Sequence, residues 1–146
     1  MHLIYRYSKH GFNSQHQGHL LKDSMVSLEE MLKQCTTDYM KNLIKSNYVE
    51  VDPNFEFDGI FIFLNKPTLK DKEFYLNHLK TNLDDINLNV AKIDPSAICY
   101  LDDGFVFREK NRMTIDDALK MNYNTVYIPD SQISKIQLIR KNKLRY

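Results

Sequence analysis

The segment "SKHGFNSQHQGH" gathers His10, His16 and His19, with Lys9 inside it and Lys22 just beyond. Imidazole takes or gives a proton near neutral pH. Two histidines and a lysine around a phosphate are therefore the equipment of a metal-independent ribonuclease. Neutral imidazole is also a zinc ligand, but His16 and His19 enclose Gly18 and no carboxylate follows before Asp23. That is not the HExxH of a helical zinc site. The paired H-x-[ST] motifs of two-histidine phosphoesterases are absent too. A solvated polar loop is the simpler reading.

The carboxylates come in pairs: Asp84-Asp85, Asp102-Asp103 and Asp116-Asp117. Such pairs hold Mg²⁺ or divide acid and base roles, yet each stands where a turn or a helix start favours Asp. In "FREKN", Glu109 and Lys110 are adjacent, so on a strand they point to opposite faces and cannot form the acidic-x-Lys pair of a restriction-type nuclease. There is no GxSxG, no CxxC, no GxGxxG and no GxxxxGK[ST]. Serine hydrolase, zinc-knuckle, Rossmann and P-loop chemistry are set aside. Cys35 and Cys99 read as buried, reduced thiols.

The elements that would position these residues alternate in type. "HLIYRY" (2–7) reads as a strand by period two, followed by a long polar loop over 8–23. Ser27-x-x-Glu30 is a capping box. It opens a helix to about Lys45 with Leu28, Met31, Leu32, Cys35, Tyr39 and Leu43 on one apolar stripe. "YVEVD" (48–52) is a short strand. "GIFIFL" (59–64) is almost wholly apolar, so it should be central and covered on both faces. Thr68-x-x-Asp71 caps a second helix over about 69–82, with Leu69, Tyr75, Leu76, Leu79 and Leu83 inward. "LNVAKI" (88–93) is a strand. "AICYL" and "FVF" flank "DDG" as a hairpin. Thr114-x-x-Asp117 opens a short third helix over about 115–121. "TVYI" and "KIQLI" close the chain as strands joined through Pro129-Asp130-Ser131, before a basic tail at 141–146. The expectation is a single α+β domain over 1–146, with a mixed or mostly antiparallel sheet, two main helices and one short one.

Hydrophobic residues make up 42% of the 146 and charged residues 27%, a composition that builds a core without metal or disulfide support. No apolar run approaches a membrane span and the N-terminus has no signal-peptide form, so the expectation is a cytoplasmic protein. A net charge of +1 gives no global pull toward nucleic acid or a membrane. The frequent Lys, Asn and Ile suggest an AT-rich source such as a mobile element. Basic residues with aromatic neighbours mark both ends: Tyr5, Arg6, Tyr7, Lys9 and His10, then Arg140, Lys141, Lys143, Arg145 and Tyr146. Were the ends to meet in the sheet they would make a patch for RNA or an acidic protein; a solvated edge strand is the plainer account.

Three blocks, "LIYRYS", "GIFIFL" and "TVYIPDSQISKI", stand in the order found in small ADP-ribosyltransferase-like domains, and the chain resembles that family over about thirty residues. The resemblance implies a first-strand Arg6 that contacts NAD through its planar guanidinium. Tyr5, Ser8 and His10 join it as candidate cofactor contacts, with Tyr5 pointing to the other face to pack. NAD is the cofactor only if the likeness holds. The family commonly carries a catalytic Glu at the start of the strand before the last turn, and here that position is Asn124. Asn holds a hydroxyl but brings no negative charge to a developing cation. Either the alignment shifts, or Glu109 or Glu56 supplies the acid, or the domain is a non-catalytic relative. The sequence thus points first to a small non-enzymatic interaction protein, an inhibitor or regulator acting on another protein. An ADP-ribosyltransferase-like nucleotide-binding domain and a histidine-loop ribonuclease are the alternatives.

Overall fold

The computed structural model describes residues 1–9, 11–13, 32–47, 52–56, 58–79, 86–102 and 107–143. Among these residues there are seven strands: β1 (His2–Ser8), β2 (Gly59–Phe63), β3 (Asn87–Ile93), β4 (Ile98–Leu101), β5 (Arg112–Thr114), β6 (Thr125–Pro129) and β7 (Ile136–Lys143). They form one sheet in the order β5-β4-β6-β2-β1-β3-β7, with every neighbouring pair antiparallel. With the helices α1 (Asp38–Asn47), α2 (Leu69–Leu79) and α3 (Ile115–Lys120), this is an α+β fold.

β2 is central and buried along both faces, as its apolar run requires. Period-two alternation sorts the rest. Ile4, Ile60, Ile62, Ala91, Ile93, Cys99, Leu101, Val126 and Ile128 share one core with Ile115 and Ala118 of α3 and with Phe12. Each fully buried isoleucine there stabilises the fold by about 1.5–3 kcal/mol. The opposite face carries aromatic clusters: Phe55, Tyr100, Phe107 and Tyr127 with Phe61, and Tyr7, Phe63 and Ile86 with Tyr5 and Leu88.

The sheet is coiled rather than flat. β1 and β2 share a single register pair, Tyr5 opposite Phe63. The link from Ile93 to Ile98 must pass from β3 to β4, four strand positions apart, or about 19 Å in a flat sheet. Five fully extended steps reach only about 18 Å, and this link is not extended: Ala97 N donates to Asp94 O at 2.9 Å in a turn. The halves β5-β4-β6-β2 and β1-β3-β7 therefore fold toward each other over the shared aliphatic core. The β6–β7 link makes the same crossing as a 3-10 segment, Asp130–Lys135. Ile98 N donates to Gln132 Oε1 at 2.9 Å and Asp94 N to Lys135 O at 3.1 Å, so the two crossovers are tied together.

The second and third helix caps form as their sequences specify. Thr68 N and Oγ1 each donate to Asp71 Oδ2 at 2.9 Å, and Asp71 N returns to Thr68 Oγ1 at 3.2 Å. Thr114 Oγ1 accepts from Asp117 N at 3.2 Å. Other expectations are corrected. The long first helix is interrupted at 34–37, and α1 begins anew where Thr37 Oγ1 accepts from Met40 N at 3.2 Å. A β-branched threonine whose hydroxyl takes a backbone amide favours a cap over a helix interior. Tyr39 and Leu43, expected inward, are exposed, as is Leu69 of α2. Cys35 is not helical and is only half-buried. β4 pairs with β5 and β6; Phe107 is not in a strand, and 103–106 lie outside the described residues. β7 runs to Lys143, so the first three residues of the expected basic tail belong to the sheet. The Ser27 capping box, strand 48–51, Leu83 and residues 14–23 of the polar loop lie outside the described residues.

Candidate functional site

Arg6, Asn89 and Lys141 stand in one row across β1, β3 and β7, and directly opposed residues project to the same side. Beside the row the chain leaves β1 through a tight turn. Gly11 has φ +64, the left-handed region that costs a residue with a Cβ about 1–2 kcal/mol. Arg6 Nη1 donates to Gly11 O at 2.7 Å and to Asn13 O at 3.1 Å, and Ser8 Oγ donates to Gly11 O at 2.6 Å. Asn89 Nδ2 donates to Ser8 Oγ at 3.0 Å and to the Arg6 and Ser8 carbonyls at 3.2 Å. A buried guanidinium, 7% exposed, thus braces the turn. Asn89 is fully buried, and its Oδ1 has no hydrogen-bond partner among the described residues.

The turn forms one wall of a cleft of about 170 Å³ lined by Gly11, Phe12, Asn13, Ile133, Ile136, Leu138 and Lys141. Ligand pockets for drug-sized molecules run to about 300–1,000 Å³, so this one fits a side chain rather than a dinucleotide. Its floor is aliphatic and aromatic, and Lys141 lies at its margin. The outer boundary is β7, which among the described residues pairs only with β3 and presents residues 137–142 to solvent. A register shift opposite Val90 and Ala91 leaves Ile139 as an extra residue between Leu138 and Arg140. The strands β1, β3 and β7 contain Arg6, Lys92, Arg140, Lys141 and Lys143 and no Asp or Glu. In a chain with 20 basic and 19 acidic residues, that is a segregation of charge the total conceals.

The residues singled out from sequence do not all converge here. Ser8 joins Arg6 at the turn. Tyr5 lies on the opposite face, packed against the cluster of Tyr7, Phe63 and Ile86. His10, His16 and His19 lie outside the described residues. Asn124 precedes β6, where its carbonyl accepts from Leu64 N at 2.7 Å. It stands on the far side of the Tyr5–Phe63–Thr125 row from Arg6, next to the buried core positions Ile4 and Leu64. Its Oδ1 is buried without a partner among the described residues. Glu109 is exposed at the start of a short 3-10 turn, Glu109–Asn111. Glu56 accepts from Ser131 N at 3.1 Å through its carboxylate, and from Tyr127 Oη at 2.6 Å through its carbonyl. Among the described residues no cluster of three or more His, Cys, Asp or Glu could hold a metal ion. No described helix is long and apolar enough to cross a membrane.

A second polar group sits beneath the aromatic cluster. Asp52, 4% exposed, accepts from Asn54 N at 3.0 Å and from Tyr100 Oη at 2.7 Å. The Asn54 amide, the Tyr100 hydroxyl and the nearby Arg112 hold its carboxyl below the usual range. Burial, then the Asp52 carboxylate, pushes the Tyr100 phenol well above its ordinary value. Phe55 fills the space above, stacked on Phe107 at 4.5 Å, so this group is part of the core and not an open site. Cys99 is also core, its thiol pushed up to about 12 by burial.

Lys141, Asn89 and Gly11 were not singled out as one site. The legible signal was the alternation "KIQLIRK", which continues as strand through the cationic residues. Comparison with protein families, with characterised proteins and with solved structures finds no match for the chain.

Proposed function

We propose that the protein is a binding module that docks an acidic partner protein against its β3–β7 margin. The observation that carries this reading is the charge segregation: β3 and β7 bear four cationic residues, Lys92, Arg140, Lys141 and Lys143, and no carboxylate. The margin also offers what a protein partner uses and a nucleic acid does not. Leu138 and Ile139 are 46% and 43% exposed, a cleft with an apolar floor lies beside them, and β7 carries no aromatic ring on which a base could stack.

The test is an Arg140→Glu/Lys141→Glu double variant. Proteins captured from the native host are identified and then titrated, purified, against wild type and variant. Each exposed ion pair contributes about 0.2–1 kcal/mol and reversal adds repulsion, so the affinity should fall about tenfold or more, with an unchanged thermal midpoint. Affinity for wild type should also fall with added salt. Equal affinity for the two forms, or recovery of nucleic acid alone, overturns the reading.

A second reading is a nucleotide pocket of the ADP-ribosyltransferase kind. Two features favour it: Arg6 lies next to the single β1–β2 register pair, where the sheet halves part, and the unpartnered Asn89 Oδ1 is opposite it. It ranks second because Arg6 already serves the Gly11 and Asn13 carbonyls and Asn124 stands beyond the intervening row.

A further inference from the structure

We infer that the partner binds by strand addition: an extended, acidic segment of another protein pairs with the outer edge of β7, the last strand of the described sheet, and places alternate side chains in the cleft beside it. This rests on the protein-docking reading and specifies its geometry.

β7 is eight residues long and has one neighbour among the described strands. Along such an edge, alternate N–H and C=O groups have no strand to pair with, which is a template for a further strand. The residues on the cleft side of β7 are Ile136, Leu138 and Lys141, and all three line the cleft. A strand laid beside β7 carries its own side chains on that same side, next to these three. The cleft therefore receives side chains of the added strand without any rearrangement of β7. Its chemistry sets their type: apolar, beside Ile136, Leu138 and the aliphatic stem of Lys141. On the other side Arg140 stands opposite Val90 and faces an anionic position. An alternating apolar and acidic segment satisfies both faces.

A second copy of this chain is the competing occupant. Two β7 strands paired edge to edge would bring Arg140 and Lys141 near their own kind, and the extra residue at Ile139 bends the strand. The like charges oppose self-pairing and leave an acidic strand unopposed, whereas the bend acts on both alike.

The experiment uses the full chain and three capped ten-residue peptides. One alternates valine with glutamate, one alternates valine with lysine, and one is the valine–glutamate peptide N-methylated throughout. The valine–glutamate peptide should bind and slow hydrogen exchange at β7 amides that face away from β3. The N-methylated peptide keeps the side chains but cannot extend the ladder, and should bind about tenfold more weakly or worse. Arg140→Glu should shift the preference toward the valine–lysine peptide. Equal binding by the N-methylated peptide overturns strand addition while leaving charge-driven docking intact. No binding of the valine–glutamate peptide at millimolar concentration overturns the inference. So does a peptide-free dimer, seen by sedimentation, with the same β7 amides protected. Tighter binding of a single-stranded RNA decamer that protects those amides overturns both the inference and the reading beneath it.

Discussion

Arg6 shows how one side chain can carry two readings. An arginine in an apolar first strand invites a ligand, and its guanidinium also donates to two turn carbonyls. Arg6→Ala strands the buried Gly11 carbonyl and removes a partner from the part-buried Asn13 carbonyl. Hydrogen bonds to a charged donor are worth about 1.5–3 kcal/mol, so the variant should lose roughly 2–4 kcal/mol. At about 3 °C per kcal/mol for a chain of this length, its melting point should fall by roughly 6–12 °C. The melt also separates the two readings of Arg6. If it is a brace, millimolar NAD moves neither protein. If it holds a nucleotide, NAD raises the wild-type midpoint and not the variant's; at 100 times Kd the gain is about 2.7 kcal/mol. Nothing in the sequence pairs Arg6 with Gly11. That bond exists because Gly11 takes a left-handed conformation, a choice only the folded turn reveals. Asn89 is silent in sequence for the same reason: its partners are carbonyls 81 and 83 residues away.

At the scale of elements, β2 depends on Gly59. A Cβ there would overlap the Tyr127 ring and crowd the Ile128 carbonyl across the β2–β6 pair. Tyr127 cannot swing aside freely, because its hydroxyl donates to Glu56 O at 2.6 Å and its ring packs on Phe55 and Phe107. Gly59→Ala should therefore cost about 1–3 kcal/mol in urea unfolding, as overpacking does, where an alanine on an open strand would be neutral or better. A double variant with Tyr127→Leu should recover part of that loss; no recovery would mean that the backbone crowding at Ile128 dominates. The strands themselves were legible, since period two and β-branched runs mark β1, β2, β3 and β6 within a residue or two. The Thr68 and Thr114 caps were legible because a capping hydroxyl and its partner lie three residues apart. The α1 boundary was not. "CTTDYM" continues an apolar helical stripe, and only the Thr37–Met40 bond shows that a cap prevails there. The strand order was also hidden: "TVYIPDSQISKI" reads as neighbouring strands, yet β6 and β7 belong to opposite halves of the sheet.

At the scale of the molecule, the coiled sheet makes one cooperative unit, so titration of its buried groups should appear in global stability. The acid limb belongs to Asp52. Its folded pKa is depressed, so its contribution is present above the unfolded value near 3.9 and is lost as pH falls through the lower folded value. The alkaline limb belongs to Tyr100, Tyr127 and Cys99, all raised chiefly by burial. Their contribution is complete below the unfolded values, near 8.5 for the thiol and 10 for the phenols, and is lost as pH rises toward the folded ones. Stability measured by urea unfolding should hold a plateau between about pH 5 and 8 and decline on both sides. Tyrosinate absorbance from the buried pair should appear together with the loss of structure. The two limbs are coupled through one hydrogen bond, because Tyr100 Oη donates to Asp52. Tyr100→Phe removes a phenol that resists ionisation and a donor that holds the carboxylate. Its alkaline decline should become shallower, and so should its acid decline, which ends at a higher pH because the folded Asp52 value moves back toward the unfolded one. An acid limb unchanged in Tyr100→Phe would assign the depressed Asp52 to the Asn54 amide and Arg112 alone, and the coupling between the sheet's aromatic face and its buried carboxylate would fail.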